Sequence, residues 1–260
     1  MMITLAPEIP KMIHYCWFGG KPLPPLAQKC IASWKRYLPD YEIKQWDETN
    51  FDVNIIPYTS QAYKAKKYAF VSDFARIWLL YKYGGIYFDT DVEVIKPLDR
   101  IISAGPFMGC ENKFVPNMPP VNLHINPGLG LGATPMMNIF HELLELYSSL
   151  QFIKEDGSLN LKTIVEYTSE LFVQHGLTNS PDIQKIEGVN IYPWDYFCPM
   201  TPTLIMTLTE NSVTIHHYSA SWEDGKVRFR RKIKRLLGSN IIKYIQPVVE
   251  KIHKLIRIFH

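Results

Sequence analysis

Several features that assign a function quickly are missing from this 260-residue sequence. It has no run of 18 apolar residues, so no transmembrane helix is predicted. Its first residues, MMITLAPEIPK, lack the basic start and unbroken apolar stretch of a secretory signal. The glycine signatures of nucleotide binding, GxGxxG and the P-loop, are also absent. We therefore expect a cytoplasmic protein that binds its ligands by other means.

Cysteine is scarce, and its spacing excludes the common thiolate metal sites. The chain has four cysteines with no CxxC pair among them, namely Cys16, Cys30, Cys110 and Cys198. We expect reduced thiols packed in the core, as in a cytosolic protein.

The chain is rich in apolar residues and has an uneven charge. It is 47% hydrophobic and 13% aromatic, which is enough for a sizeable core. Residues 226–260 hold eleven basic residues and one acid, a net charge of +10, whereas the remainder carries −7. We predict a main domain over residues 1–225 and a basic amphipathic helical tail over residues 226–260.

Three partners suit such a tail. It could lie on an anionic membrane surface, gaining about 1 kcal/mol per basic residue. It could also pack its apolar face on the domain or contact another subunit. No nucleic-acid module accompanies the basic residues, so nucleic acid is not an expected partner.

The first part of the chain predicts a parallel β-α-β unit. Residues 11–20 and 41–46 form strands, and residues 25–38 form an amphipathic helix with proline at its start. A helix between two such strands indicates a parallel pairing, and hence an α/β fold with a sheet flanked by helices.

The stretch at residues 69–98 organises the rest of the sequence. It predicts a buried helix, a break at Gly84-Gly85, and an apolar strand that carries Asp89 and Asp91. Residues two apart on a strand point to the same side, so these carboxylates repel each other. Because a divalent cation with oxygen ligands relieves that repulsion, we predict a metal site there.

Asp73 and Arg76 are charged residues inside the buried helix. They lie three positions apart and so share one face. A buried charge has to be paired or used, which leaves two readings: a structural ion pair or part of the same site. The FDTD sequence directly after the helix favours the site.

The segment SDFARIWLLYKYGGIYFDTDVEVIKPLD resembles the core signature of glycosyltransferase family 32, the DXD sugar transferases. It is similar also to the catalytic domain of the large clostridial glucosylating toxins. The resemblance covers residues 9–99 well and residues 189–222 in outline. It implies a GT-A-type, Rossmann-like mixed sheet. It also implies manganese or magnesium and a retaining transfer from a nucleotide sugar, with a UDP-sugar as the expected donor.

The resemblance also implies residues that contact the donor nucleotide. The opening motif IPKMIHYCWFGG makes Trp17 the platform for the uracil base, with the backbone of Phe18 and Gly19 near the nucleotide. In HINPGLGLG, Asn126 becomes a candidate contact to the donor sugar. A tight turn without a ligand explains the same glycines equally well.

Further roles follow for the charged residues. Asp73 accepts hydrogen bonds from sugar hydroxyls, and Arg76 binds a donor oxygen or the diphosphate. Asp89 lies near the ribose and the metal, and Asp91 binds the metal. No residue identifies itself as a nucleophile.

A late strand, VTIHHYSASW, offers the remaining ligands. His216 and His217 point to opposite sides of it, so only one can face the metal. The resemblance selects His217 as the metal ligand, with His216 as the reserve assignment. It also makes Ser221 a candidate further ligand, and it makes Trp222 a donor from its indole to a diphosphate oxygen.

Other functions fit parts of the pattern. A haloacid-dehalogenase-type phosphatase also uses DxD after an apolar strand, but it requires Thr or Val where Glu93 stands, together with a later acidic pair. A carbohydrate-binding relative without catalysis is a further alternative. Family and tail together suggest a bacterial enzyme at the inner face of the plasma membrane. Its acceptor would be a glycan or lipid-linked saccharide in surface or capsular polysaccharide synthesis.

Overall fold

The computed structural model describes residues 8–202 and 205–219. Within them the strands are β1 (Met12–Cys16), β2 (Glu42–Trp46), β3 (Gly85–Tyr87), β4 (Val92–Val94), β5 (Phe107–Cys110), β6 (Ile125–Asn126), β7 (Leu131–Ala133), β8 (Gln184–Ile186), β9 (Val189–Tyr192) and β10 (Thr214–His216). The helices are α1 (Pro25–Tyr37), α2 (Pro57–Lys64), α3 (Tyr68–Tyr83), α4 (Asp99–Ser103), α5 (Asn138–Ser149), α6 (Ile164–Gln174) and α7 (Trp194–Phe197), with a short 3-10 turn at Pro120–Asn122. The predicted tail at residues 226–260 lies outside this part of the chain.

Eight strands form one mixed sheet in the order β2-β1-β3-β7-β5-β9-β8, with β6 paired to β5. Strand β1 runs parallel to both β2 and β3, as the β-α-β start predicts. Strand β7 runs antiparallel between β3 and β5. The predicted α/β class, a mixed sheet flanked by helices, is confirmed. Among the described helices, none has the length and hydropathy needed to cross a bilayer.

Helix α1 illustrates how the sequence positions the elements around the site. Its buried residues Ala27, Cys30 and Trp34 recur at helical spacing and face the core. Trp34 is fully buried and donates a hydrogen bond from Nε1 to the Val92 carbonyl, at 2.7 Å. Truncating such a side chain typically costs about 3–5 kcal/mol. Helix α1 therefore anchors strand β4 against the core of the domain.

The junction between α3 and β3 is pinned by a buried histidine. Gly84 ends the helix with a φ of 64°, a conformation that favours glycine. His14 Nε2 lies 2.9 Å from the Gly84 carbonyl, and His14 Nδ1 accepts from Trp46 Nε1 at 3.0 Å. This arrangement requires a neutral imidazole that donates from Nε2, and it holds the start of β3 against β1.

We expect His14 to make the free energy of unfolding depend on pH. Burial lowers the pKa of His14 from 6.5 to about 4, against the opposing effect of its bond to Gly84. Between these values the unfolded chain binds a proton that the folded protein does not, so stability falls as the pH drops. The loss amounts to roughly 3 kcal/mol over this interval.

Urea unfolding of wild type and His14→Gln at a series of pH values measures this contribution. The glutamine keeps a donor for the Gly84 carbonyl but does not titrate, so the slope between pH 6.5 and pH 4 should flatten. Equal slopes in the two proteins would contradict the assignment.

Candidate active site

Asp89 and Asp91 lie in a turn, which corrects the prediction that they lie on a strand. Strand β3 ends at Tyr87 and β4 begins at Val92, and the Val92 amide donates to the Asp89 carbonyl at 3.0 Å. The cause is a change of sheet: β3 belongs to the large sheet, whereas β4 pairs with β10 in a separate two-stranded sheet. The two carboxylates therefore converge through the turn rather than through strand alternation.

A histidine from the end of the described chain joins these carboxylates. Strand β10 runs antiparallel to β4, with His216 opposite Val92. As a result Asp89, Asp91 and His216 each offer a ligand atom, all within 4.8 Å of one another. His216 Nε2 lies 3.3 Å from Asp91 Oδ1, while its Nδ1 is buried without a hydrogen-bond partner. This is a group of oxygen and nitrogen donors suited to a divalent cation.

His217, the histidine chosen from the resemblance, is not grouped with these carboxylates. Its Nε2 lies 2.8 Å from Glu93 Oε2, which also binds Lys29 Nζ at 2.8 Å. The physical reason is alternation, because His217 directly follows the end of β10 and points to the side opposite His216. The reserve assignment, His216, occupies the place predicted for His217.

Arg76 links helix α3 to the turn. Its Nη2 lies 3.0 Å from Asp73 Oδ1 and 3.2 Å from Asp89 Oδ1, and its Nη1 lies 3.3 Å from Asp89 Oδ2. The guanidinium also lies over the Tyr87 ring, 4.9 Å from its centroid, and Tyr87 donates from its hydroxyl to Asp89 Oδ1 at 3.2 Å. Asp73 and Arg76 are thus both an ion pair and part of the candidate site.

Charge in this cluster is stabilised unevenly. Burial raises the pKa of Asp73 to about 6, while the neighbouring Arg76 charge opposes that rise. Burial also acts against the charge on Asp91, but the adjacent His216 and the Ser219 amide hold the pKa of Asp91 well below its ordinary value. Asp91 is therefore ionised and available as a metal ligand near neutral pH.

Asn126 and Gly128 support the turn from the other side. The Asn126 Oδ1 accepts from the Gly128 amide at 2.7 Å, and the Gly128 carbonyl accepts from the Asp89 amide at 3.0 Å. A side chain on Gly128 would overlap Asp89 Oδ2 and lie 2.8 Å from Arg76 Nη1. The predicted tight turn is therefore present and lies against Asp89, while the contact of Asn126 with the donor sugar stays a prediction.

The residues predicted to hold the base follow β1. Trp17 is partly buried, and its indole donates to the Lys21 carbonyl, whereas Phe18 is buried against Phe51 at 5.8 Å between ring centroids. The Gly19 amide donates to the Glu48 carboxylate at 3.2 Å. These roles stay predictions, because no described contact joins this segment to the carboxylates.

Ser221 and Trp222 lie outside the described residues. The last described residue, Ser219, lies at the candidate site, since its amide donates to Asp91 Oδ2 at 2.7 Å. Sequence reasoning missed Tyr87, although its position two residues before Asp89 in IYFDTD is a usable signal. It also missed Glu48, which binds the Gly19 amide, and Glu111, which binds the Asn126 side chain. The sequence offers no comparable pattern for these two residues.

Comparison with known proteins finds a family match in the first half of the chain. Residues 24–108 match the family model described as "Glycosyltransferase sugar-binding region containing DXD motif". This range includes helix α3, the Asp73 and Arg76 pair, and the turn with Asp89 and Asp91. Residues 24–108 therefore resemble the sugar-binding region of DXD glycosyltransferases, in agreement with the resemblance predicted from the sequence.

Two curated relatives are inositol phosphoceramide mannosyltransferases of Schizosaccharomyces pombe. Number 3 is 30% identical over 105 residues, which covers 36% of this chain and 27% of the relative. Number 1 is 28% identical over 112 residues, which covers 39% of this chain and 34% of the relative. The chain therefore matches about a third or less of the length of these relatives.

Two glycosyltransferases are among the solved structures that match part of this chain. The PaToxG glycosyltransferase has a TM-score of 0.48 and 21% identity, covering 65% of this chain and 70% of that one. A glycosyltransferase involved in glycosylation of the major capsid of PBCV-1 has a TM-score of 0.44 and 11% identity, covering 86% of this chain and 100% of that one.

We predict that Gly128→Ala destabilises the protein through Asp89. The added methyl group forces the Asp89 carboxylate away from Arg76, at a typical overpacking cost of about 1–3 kcal/mol. Urea unfolding of Gly128→Ala, Asp89→Ser and the double variant forms a double-mutant cycle. The cost of Gly128→Ala should shrink in the Asp89→Ser background. An equal cost in both backgrounds would exclude the contact as its cause.

Proposed function

We propose that the protein is a metal-dependent glycosyltransferase that moves a sugar from a nucleotide sugar to a saccharide acceptor. The observation that carries this proposal is the grouping of Asp89, Asp91 and His216 within 4.8 Å, next to the Arg76 guanidinium. A site of two carboxylates, an imidazole and a fixed cation is suited to a diphosphate and its metal ion.

The donor set fits manganese or magnesium. Two carboxylates supply the oxygen ligands that both ions prefer, and the imidazole of His216 favours manganese of the two. When bound, the ion would act as a Lewis acid that neutralises charge on the departing diphosphate. Asp89, Asp91 and His216 would hold it. The predicted further ligand, Ser221, lies outside the described residues.

The remaining residues bind and orient the donor in this proposal. Arg76 provides a planar cation for a donor oxygen, and Asp73 accepts hydrogen bonds from sugar hydroxyls. Trp17 supplies the stacking surface for the base, which we propose to be uracil, and Trp222 donates to the diphosphate. The resemblance to family 32 supports retention of the anomeric configuration.

The acceptor is the least constrained part of the proposal. We propose a glycan or lipid-linked saccharide, used in synthesis of bacterial surface or capsular polysaccharide. The enzyme would work in the cytoplasm, held at the inner face of the plasma membrane by residues 226–260. The +10 charge of that segment supports contact with anionic lipid.

A second candidate is mannosyl transfer to a phosphoinositol-containing lipid. The names of the two curated relatives favour it, although they match less than half of this chain. A donor screen with UDP-glucose, UDP-galactose, their N-acetyl forms and nucleotide-activated mannose separates the candidates. A phosphatase or a non-catalytic sugar-binding protein would release no sugar from any of these donors, with or without manganese.

We expect Asp91→Asn to abolish most metal-dependent turnover. Loss of an anionic ligand worth several kcal/mol corresponds to a fall in kcat of about 100-fold or more. Donor hydrolysis with manganese present measures the effect. Asp40→Asn is the matched control, because Asp40 is exposed and its ion pair among the described residues is with Lys11, at 3.7 Å. Activity near that of wild type in Asp91→Asn would overturn the metal assignment.

Paired substitutions of the two histidines identify the ligand. His216→Gln should raise the manganese concentration needed for half-maximal activity at least about 10-fold, because it removes a donor from the cluster. His217→Gln removes only a contact with Glu93 and should change that concentration much less. The reverse order of effects would restore His217 as the metal ligand.

A further inference from the structure

Glu111, at the end of β5, begins a chain of hydrogen bonds that leads to the candidate site. Its Oε2 accepts from Asn126 Nδ2 at 2.8 Å. Asn126 Oδ1 accepts from the Gly128 amide at 2.7 Å, and the Gly128 carbonyl accepts from the Asp89 amide at 3.0 Å. Three bonds thus connect a carboxylate outside the cluster to the backbone of a metal-site residue.

In this series of hydrogen bonds, the donor and the acceptor of each bond are determined by the neighbouring bond. A backbone amide can only donate, so Asn126 has to present its oxygen to Gly128. Its nitrogen then faces Glu111, which therefore has to accept. An ionised carboxylate is the side chain that accepts and never donates, so it allows one orientation of the amide only.

The surroundings keep Glu111 ionised and fixed. Burial alone would raise its pKa, but bonds from His124 and Asn126 hold the pKa of Glu111 below its ordinary value. The pairing of β5 with β6, with Gly109 opposite Asn126, sets the backbone positions. The Glu111 amide also donates to the His124 carbonyl at 2.8 Å.

The series of hydrogen bonds ends at Gly128, whose position determines the space around Asp89. Gly128 approaches the Asp89 carboxylate and Arg76 so closely that no side chain fits between them. A shift of the turn at residues 126–128 therefore changes both the backbone anchor of Asp89 and the space around its carboxylate. We propose that Glu111 is a positioning residue that, through Asn126 and Gly128, holds the Asp89 carboxylate in place for the metal and Arg76.

The part of this inference that concerns the metal rests on the proposed function. The first test needs neither metal nor sugar donor and is therefore independent of that function. Amide hydrogen exchange is compared in the full-length wild type and in Glu111→Met, which removes the acceptor. The Gly128 and Asp89 amides should exchange about 10-fold faster in the variant. The Phe88 amide, which donates to the His14 carbonyl at 3.2 Å, should change little. Unchanged Gly128 and Asp89 amides would overturn the proposal.

The second test uses reversal of donor and acceptor. Asn126→Asp sets two acceptors against each other and should weaken manganese binding, measured by titration calorimetry, about 10-fold or more. Adding Glu111→Gln restores a donor facing an acceptor and should recover most of that affinity. If Glu111→Gln does not recover the manganese affinity lost in Asn126→Asp, the proposal is overturned. This test remains valid even if Glu111→Met does not fold.

A kinetic comparison separates positioning from general stability. Glu111→Met should lower kcat for donor hydrolysis about 10-fold with little change in the donor KM, while Glu111→Gln retains an acceptor oxygen and most of the rate. Glu142→Gln is the control, because Glu142 pairs with His175 at 2.8 Å on the surface. Equal kcat values in wild type and Glu111→Met would contradict positioning. If wild type turns over no sugar donor, the proposed function fails, while the exchange and manganese measurements still decide the role of Glu111.

Discussion

The structure depends on one buried cation. Arg76 is only 5% exposed and cannot lose its charge, so the folded protein has to provide it with anionic partners. Asp73 supplies one from the same helix, and Asp89 supplies the other from the turn after β3. This requirement joins helix α3 to the turn after β3, where Asp89 and Asp91 lie. It also explains why the neighbouring backbone, at Gly128, carries no side chain.

The two aspartates of the DXD motif have different surroundings. Asp89 is held by Arg76 of helix α3, by Tyr87 of the large sheet and by the Gly128 carbonyl. Asp91 is held by the small sheet, through His216 and the amide of Ser219. The motif thus lies between the two sheets, and a metal ion held by Asp89, Asp91 and His216 would connect them.

Local patterns predicted the parts of the fold that depend on local sequence. The helix at residues 69–83 and the strands at residues 11–20 and 41–46 follow from apolar spacing and glycine breaks, which short segments encode by themselves. The same patterns placed Asp73, Arg76, Asp89 and Asp91 in one site. They missed the turn at Asp89, because its cause is the pairing of β4 with a strand more than a hundred residues later. The choice between His216 and His217 depends on that same long-range register, and single-sequence periodicity does not contain it.

The pairing of β4 with β10 has a consequence for synthesis of the protein. Ser219, which binds Asp91, is 128 positions later in the chain. A nascent polypeptide that has emerged only through residue 108 already contains the whole family-matched region, yet it lacks the imidazole and the strand that carries it. Such long-range contacts form late because loop closure opposes them. Assembly of the group formed by Asp89, Asp91 and His216 is thereby deferred until the last described strand has left the ribosome.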